Sequence, residues 1–114
     1  MEKMKILHLP LMAKWYEMIE RGEKLEEYRE VKSYWIRKLT EIKYDILLFS
    51  YRNGFLPIPF KKFSAVKFRY GYTKRTMTFR IKNIRFGKGK KEWGAGVNDV
   101  FIIELGERIK EGEV

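Results

Sequence analysis

The chain has 114 residues, a formal net charge of +10 and no cysteine. Its length suits one domain, residues 1–114, and its 45% apolar and 16% aromatic content is not that of a disordered chain. The absence of cysteine excludes disulfides and thiolate metal sites, and no run is apolar enough for a membrane span or a secretory signal, so we expect a cytoplasmic protein without a membrane partner.

Strands and helices alternate in the first half of the predicted secondary structure. Apolar residues at helical spacing are followed by Gly22, a typical helix stop, and Ser33 is a candidate N-cap. In chain order we predict a strand over 4–9 ended by Pro10, a helix over 11–21, a strand over 24–31, a helix after Ser33, a strand over 44–51 and a turn at Asn53-Gly54.

The second half of the chain reads as strands. We predict a loop over 55–63, strands over 66–70 and 77–81 joined by a hairpin loop over 71–75, an irregular segment over 87–96 and a last strand over 100–105. Early helices followed by antiparallel strands indicate an α+β fold. Strands of this length suit a small closed or half-closed β-barrel of about five to six mostly antiparallel strands, with two helices near its ends.

The positive charge is concentrated in one part of the sequence. Residues 46–91 contain 13 Lys or Arg and no Asp or Glu, whereas the rest of the chain has 12 basic and 15 acidic residues. A basic block interleaved with Phe and Tyr is typical of proteins that bind polyanions, so RNA or a nucleotide-like ligand is the expected partner. A merely solvated basic face, an anionic membrane surface and an acidic protein partner are the alternatives.

Alternation in the paired strands predicts where the basic side chains point. If the apolar residues of 66–70 and 77–81 face the core, then Lys67, Arg69, Arg80 and Lys82 lie together on the outer face, where their mutual repulsion favours a polyanion. Functional groups often project where a strand ends at a turn. The predicted ligand or RNA contacts are Lys24, Arg29, Tyr51, Arg52, Lys67, Arg69, Lys74, Arg75, Arg80 and Lys82.

Charged residues in the segment 24–31 form the candidate site. Leu25 and Val31 are apolar, so strand alternation turns their face inward and makes Glu27 and Arg29 a semi-buried pair. Lys24 is then expected at a cleft mouth, as a phosphate contact or, if desolvated, as a base. Lys24 and Glu27 are the catalytic candidates if the protein is an enzyme, and a purely structural ion pair is the alternative.

A metal or cofactor site is not expected. His8 is the only histidine, and with no cysteine this excludes a histidine-rich metal centre and a cysteine–histidine pair. His8 is predicted to lie near the core, on one strand face with Met4 and Ile6. The glycine- and lysine-rich run over 87–90 lacks the spacing of a phosphate-binding P-loop.

One motif and its flanks resemble a known family. Residues 22–29, Gly-Glu-Lys-Leu-Glu-Glu-Tyr-Arg, match the pattern Gly-x-Lys-x-x-Glu-x-Arg after the first helix, and Tyr34-Trp35 follow closely. In the C-terminal half, Tyr70-Gly71-Tyr72 and the segment 92–95, Glu-Trp-Gly-Ala, look like the small phage and bacterial branch. On these residues the chain resembles the ASCH family over nearly its whole length.

The resemblance implies a PUA-like β-barrel with an RNA-binding cleft beside the motif. Some small family members are metal-free amidohydrolases acting on N4-acetylcytidine, with a lysine of this motif, here Lys24, in the catalytic centre. In those enzymes a threonine stands where this chain has Glu27. Ribonuclease activity also occurs in the family. The expected function is therefore RNA or nucleotide binding, with an enzyme acting on a modified nucleoside or on single-stranded RNA as the alternative.

Overall fold

The computed structural model describes residues 4–43 and 57–110. Within these ranges the chain forms an α+β fold of five strands and two α-helices, which confirms the predicted class. In chain order the elements are β1 (Ile6–Leu11), α1 (Ala13–Glu20), β2 (Glu26–Arg29), α2 (Ser33–Leu39), β3 (Ala65–Tyr70), β4 (Thr76–Gly87), a short 3-10 helix (Lys91–Trp93) and β5 (Val100–Ile109).

The five strands belong to one sheet with the order β1-β3-β4-β5-β2. β1 runs parallel to β3, with Leu7 opposite Val66 and Leu9 opposite Phe68. β3 and β4 are antiparallel and are joined by the hairpin loop over 71–75, as predicted. The first strand therefore pairs with a strand from the second half of the chain.

Two compact units make up the described residues. The first contains residues 4–27, 62–83 and 103–110, and the second contains residues 28–43, 57–61 and 84–102. Each unit is built from segments that are separated in the sequence, so neither corresponds to one continuous stretch of chain.

The core of the first unit follows the alternation predicted for β3 and β4. Val66 and Phe68 are fully buried, and Met77 and Phe79 face them from the paired strand. The ring centroids of Phe68 and Phe79 lie 6.1 Å apart. These strands therefore bury their apolar face and turn the intervening side chains to the other face, where Arg69 and Arg80 are exposed and Ala65 and Thr78 are buried.

The core of the second unit is built around Phe101, which is fully buried on β5. Its ring centroid lies 5.8 Å from that of Phe60 and 6.3 Å from that of Phe86. Helix α2 adds Ile36 and ends at the buried Thr40, whose Oγ1 donates a 2.6 Å hydrogen bond to the Ile36 carbonyl. The threonine hydroxyl thus satisfies a backbone acceptor at the helix end.

Several element boundaries differ from the prediction. β1 does not end at Pro10 but continues through it to Leu11, because β1 is at an edge of the strand order, where a proline is tolerated. α1 consequently begins at Ala13. β4 and β5 are longer than predicted and reach Gly87 and Ile109, whereas β2 is limited to Glu26–Arg29.

Some predictions fall outside the described residues. These are the strand over 44–51, the turn at Asn53-Gly54 and the candidate contacts Tyr51 and Arg52. Across the described ranges, neither helix has the length and apolar character needed to cross a membrane.

Candidate nucleic-acid interface

The motif begins at Gly22, in the turn that ends α1. The N–H of Gly22 donates to the carbonyl of Ile19 (3.0 Å), and the N–H of Glu23 donates to the carbonyl of Met18 (2.9 Å), the two bonds of a Schellman cap. Gly22 has a φ of +79°, which favours glycine because it has no Cβ. The N–H of Lys24 also donates to Met18, at 3.1 Å, so the cap fixes how Lys24 leaves the helix.

Lys24 and Glu27 form an ion pair inside the first unit. Lys24 Nζ lies 3.2 Å from Glu27 Oε1, and their side chains are only 1% and 8% exposed. The same ammonium lies 4.9 Å from the ring centroid of Trp15, within the range of a cation–π interaction. Burying a charge costs free energy unless the charge has such partners. The Glu27 carboxylate and the Trp15 ring therefore stabilise the buried ammonium of Lys24.

Two predictions about this segment are wrong. Lys24 is buried rather than at a cleft mouth, and Leu25, which alternation places inside, is 54% exposed. β2 begins only at Glu26, so both residues lie in the turn after α1, where the strand period does not apply. The burial of Glu27 is confirmed.

Arg29 belongs to the second unit. Its side chain is half-buried, and its guanidinium carbon lies 5.0 Å from the ring centroid of Trp35. The expected pairing of Arg29 with Glu27 joins residues of different units and stays a prediction.

A basic face is formed by the outward-facing side chains of β1, β3 and β4 in the first unit. The strand register places Lys67 opposite Thr78, Arg69 opposite Thr76, and Arg80 opposite Ala65, and Lys82 follows Arg80 by one strand period. The register therefore confirms that Lys67, Arg69 and Arg80 share one sheet face, and Lys82 is exposed two residues further along β4. The face comprises His8, Pro10, Lys67, Arg69, Thr76, Arg80 and Lys82, with the buried Thr78 between them.

His8 also lies on the basic face, which contradicts the prediction of a near-core histidine. It is exposed and lies opposite Lys67, while Leu7 and Leu9 on either side are 1% and 2% exposed. The alternating leucines of β1, ending in Leu11, are the sequence signal that assigns His8 to the outer face.

The cations of the basic face differ in whether a carboxylate neutralises them. Arg80 Nε lies 3.1 Å from Glu107 Oε1. Within the described part of the chain, no acidic side chain forms an ion pair with Lys67, Arg69 or Lys82. Lys67, Arg69 and Lys82 are therefore the basic side chains of the face that no described carboxylate neutralises.

A pocket of about 190 Å³ opens on the basic face. His8 and Pro10 line it from β1, Lys67 and Arg69 from β3, and Thr76 from the start of β4. None of the described residues that line the pocket is acidic. The pocket therefore presents hydrogen-bond donors from three neighbouring strands, with no carboxylate among its described lining residues.

Arg75, a predicted RNA contact, forms an ion pair with Glu20 of helix α1. Its Nη2 lies 2.7 and 2.9 Å from the two carboxylate oxygens of Glu20, and its guanidinium carbon lies 5.0 Å from the ring centroid of Tyr70. The Tyr70 hydroxyl donates a 2.8 Å hydrogen bond to Glu17, which raises the pKa of this phenol. Arg75 thus holds the hairpin against α1 although its side chain is exposed, and the neighbouring Lys74 is exposed as well.

An aromatic ring next to the basic face was not predicted as a site. Tyr72, in the hairpin loop between β3 and β4, is 91% exposed, and the Arg69 guanidinium carbon lies 5.9 Å from its ring centroid. Its position between glycine and threonine in a hairpin loop is the signal that marks it in the sequence. Such a ring can stack on a nucleic-acid base.

The glycine- and lysine-rich segment lies in the second unit. Trp93 is half-buried with Lys90 Nζ 4.3 Å from its ring centroid, and the Lys90 N–H donates to the Tyr28 hydroxyl at 2.9 Å. A Cβ on Gly89 would lie 2.7 Å from the Cβ of Ala95, so this position needs glycine. These contacts give the segment a packing role within its unit.

The described residues contain no group of three or more His, Cys, Asp or Glu side chains that could hold a metal ion. Comparison of the chain with protein-family profiles, with curated proteins and with solved structures finds no match. The residues and the geometry of the site are therefore the grounds for assigning a function.

Proposed function

We propose that this protein binds single-stranded RNA on its basic face. The observation that carries the proposal is the group formed by Lys67, Arg69 and Lys82, which no described carboxylate neutralises, beside the exposed ring of Tyr72. Proteins that bind single strands combine a positive surface along the backbone with aromatic rings on which bases stack. The basic face and Tyr72 supply these two parts.

The electrostatics of the sheet favour an anionic ligand over a bare surface. In the strand register Lys67 and Arg80 are diagonal neighbours on adjacent strands, so their like charges repel although neither lies directly opposite another cation of β3 or β4. A bound phosphate backbone relieves this repulsion and releases its own counterions, which is a large source of affinity for nucleic acids. The acid-free stretch of residues 46–91 is consistent with selection for such a ligand.

We also propose that the fold is the PUA-like barrel of the ASCH family, as the motif over 22–29 suggests. The α+β class and the position of the motif after the first helix support this assignment. In this proposal Lys24 and Glu27 tie the end of α1 to β2, and Arg29 remains a candidate RNA contact in the second unit.

RNA binding is favoured over the alternative of a hydrolase that uses Lys24. The Nζ of Lys24 already lies 3.2 Å from the Glu27 carboxylate and 4.9 Å from the ring centroid of Trp15, so contacts within the protein surround this group. Lys24 is also 1% exposed, which limits access of a substrate to its Nζ. We therefore expect RNA recovered from binding experiments to be intact and N4-acetylcytidine to be unchanged.

The salt dependence of RNA affinity tests the proposal. If the protein contacts four to six phosphates of a single strand, the logarithm of the association constant falls with the logarithm of the salt concentration with a slope of about −3 to −4. The affinity of the parent protein for a fluorescent oligouridylate should be measured by anisotropy over a series of salt concentrations, with an uncharged peptide-backbone analogue of the same sequence as the control. An affinity that is independent of salt, or equal for the two ligands, contradicts the proposal.

A further inference from the structure

The pocket on the basic face is built differently from the rest of that face. It gathers His8, Lys67, Arg69 and Thr76 from three adjacent strands around one volume of about 190 Å³. The register explains this convergence, because His8 lies opposite Lys67 and Arg69 lies opposite Thr76. Arg80 and Lys82 instead continue along β4, outside the pocket.

The donors of this pocket suit a phosphate group. Lys and Arg provide charged N–H donors, threonine provides a hydroxyl, and a histidine ring donates at least one N–H in its neutral or its charged form. Lys67 and Arg69 form no ion pair with any described acidic side chain, so these donors remain available to an anion. Ligand pockets for whole small molecules usually measure roughly 300–1,000 Å³, so the present volume suits a chemical group rather than a whole nucleotide.

The number of converging donors favours a terminal phosphate over an internal one. A phosphodiester within a strand carries one charge and two free oxygens, whereas a phosphomonoester has three oxygens and a charge of about −1.5 to −2. The four side chains around this pocket can donate to the three oxygens of one phosphomonoester. A row of cations along a strand would instead contact successive phosphodiesters, one after another. Arg69 connects the pocket to Tyr72, whose ring offers a stacking surface for the base of the same nucleotide.

We infer that this pocket binds the terminal phosphate of an RNA strand. The inference rests on the proposed RNA binding and specifies which part of the RNA the pocket receives. A strand with a terminal phosphate is expected to bind about tenfold more tightly than the same strand ending in a hydroxyl, a difference of about 1.4 kcal/mol.

Affinities for matched oligouridylates test this inference. Strands with a 5′-phosphate, a 3′-phosphate or hydroxyls at both ends should be titrated into the parent, Arg69→Gln and Lys82→Gln proteins. We expect one phosphorylated strand to bind more tightly to the parent, Arg69→Gln to abolish this preference, and Lys82→Gln to weaken all strands while keeping it. Lys82 is the matched control because it is an exposed cation of the same face outside the pocket.

His8 provides a direct probe because it is the only histidine of the chain, so its ring signals in NMR spectra need no assignment among several. They are expected to shift on addition of the phosphorylated strand and to stay in place with the hydroxyl-ended strand. Equal affinities with an unmoved His8 ring overturn the inference while RNA binding stands. Loss of all RNA binding overturns the proposed function itself. A nucleoside monophosphate that binds as tightly as the phosphorylated strand overturns the assignment to an RNA end.

Discussion

Replacing Lys24 by methionine is expected to lower the free energy of unfolding by about 3–5 kcal/mol, the usual cost of removing one member of a buried ion pair. Methionine keeps the length of the side chain, but it leaves the buried Glu27 carboxylate without the ammonium 3.2 Å away. Urea unfolding followed by circular dichroism gives this free energy, and an unchanged denaturant slope shows that the unfolded states are comparable.

Two further variants separate the ion pair from a general effect of lysine loss. Lys62→Met removes an exposed lysine of the same unit and is expected to change stability by no more than about 0.5 kcal/mol. The double variant Lys24→Met/Glu27→Leu is expected to recover much of the loss, because an apolar pair of similar volume often replaces a buried ion pair without cost. A Lys24→Met protein as stable as the parent contradicts the burial of this pair.

The double variant Lys67→Gln/Arg69→Gln is expected to bind single-stranded RNA about 10- to 100-fold more weakly at low salt. Each residue offers a hydrogen bond to phosphate, and two bonds weakened by solvent exposure to about 0.7–1.4 kcal/mol each account for this range. Loss of two phosphate contacts also reduces the steepness of the salt dependence by about 1.4 in log–log slope. Anisotropy titrations at several salt concentrations measure both quantities, and thermal unfolding checks that the variant is folded.

The matched control is the double variant Arg80→Gln/Lys82→Gln on the neighbouring strand. It removes the same formal charge, but Arg80 is already paired with Glu107, so a smaller loss of RNA affinity is expected. Glu107→Gln is expected to raise the affinity, because it removes the carboxylate that neutralises Arg80. If both double variants lose affinity equally, net charge alone governs binding and the ion-pair pattern of the face does not.

The sequence predicts β3, the first part of β4 and their outer charges well because residues 66–70 and 76–82 alternate between apolar and polar side chains. In β3 the apolar Val66 and Phe68 alternate with the charged Lys67 and Arg69. Only one orientation of the strand buries the apolar side chains. The same rule applied to β1 identifies His8 as outward-facing once Leu7, Leu9 and Leu11 are taken as the buried set. His8 shares a strand face with Met4 and Ile6, which are apolar but only half-buried, so the predicted near-core position of His8 is wrong.

The position of Lys24 was not predictable from alternation. The cap at Gly22 ends one periodic element, and the next begins only at Glu26, so the residues between them follow the geometry of the turn. Lys24 and Glu27 are three residues apart, a spacing that places them on opposite faces of an ideal strand and yet together here. The parallel pairing of β1 with β3 could not be predicted from local sequence patterns either, because it joins segments that are distant in the chain.

The pocket was missed for a related reason. Lys67 and Arg69 are recognisable in the basic stretch, but His8 and Thr76 join them only through the strand order β1-β3-β4. Local patterns assign side chains to a face of a strand, whereas neighbours across a sheet are set by topology.

The most direct test of RNA binding on the basic face is an amide chemical-shift map of the ¹⁵N-labelled protein titrated with an oligouridylate. The account predicts that the largest shifts fall on Lys67, Arg69 and Thr76, that the ring signals of Tyr72 move with them, and that the amide of the buried Lys24 changes little. Shifts confined to the glycine- and lysine-rich segment 87–96, with the basic face unmoved at saturating RNA, contradict the proposed interface, and a spectrum unchanged by RNA contradicts the proposed function.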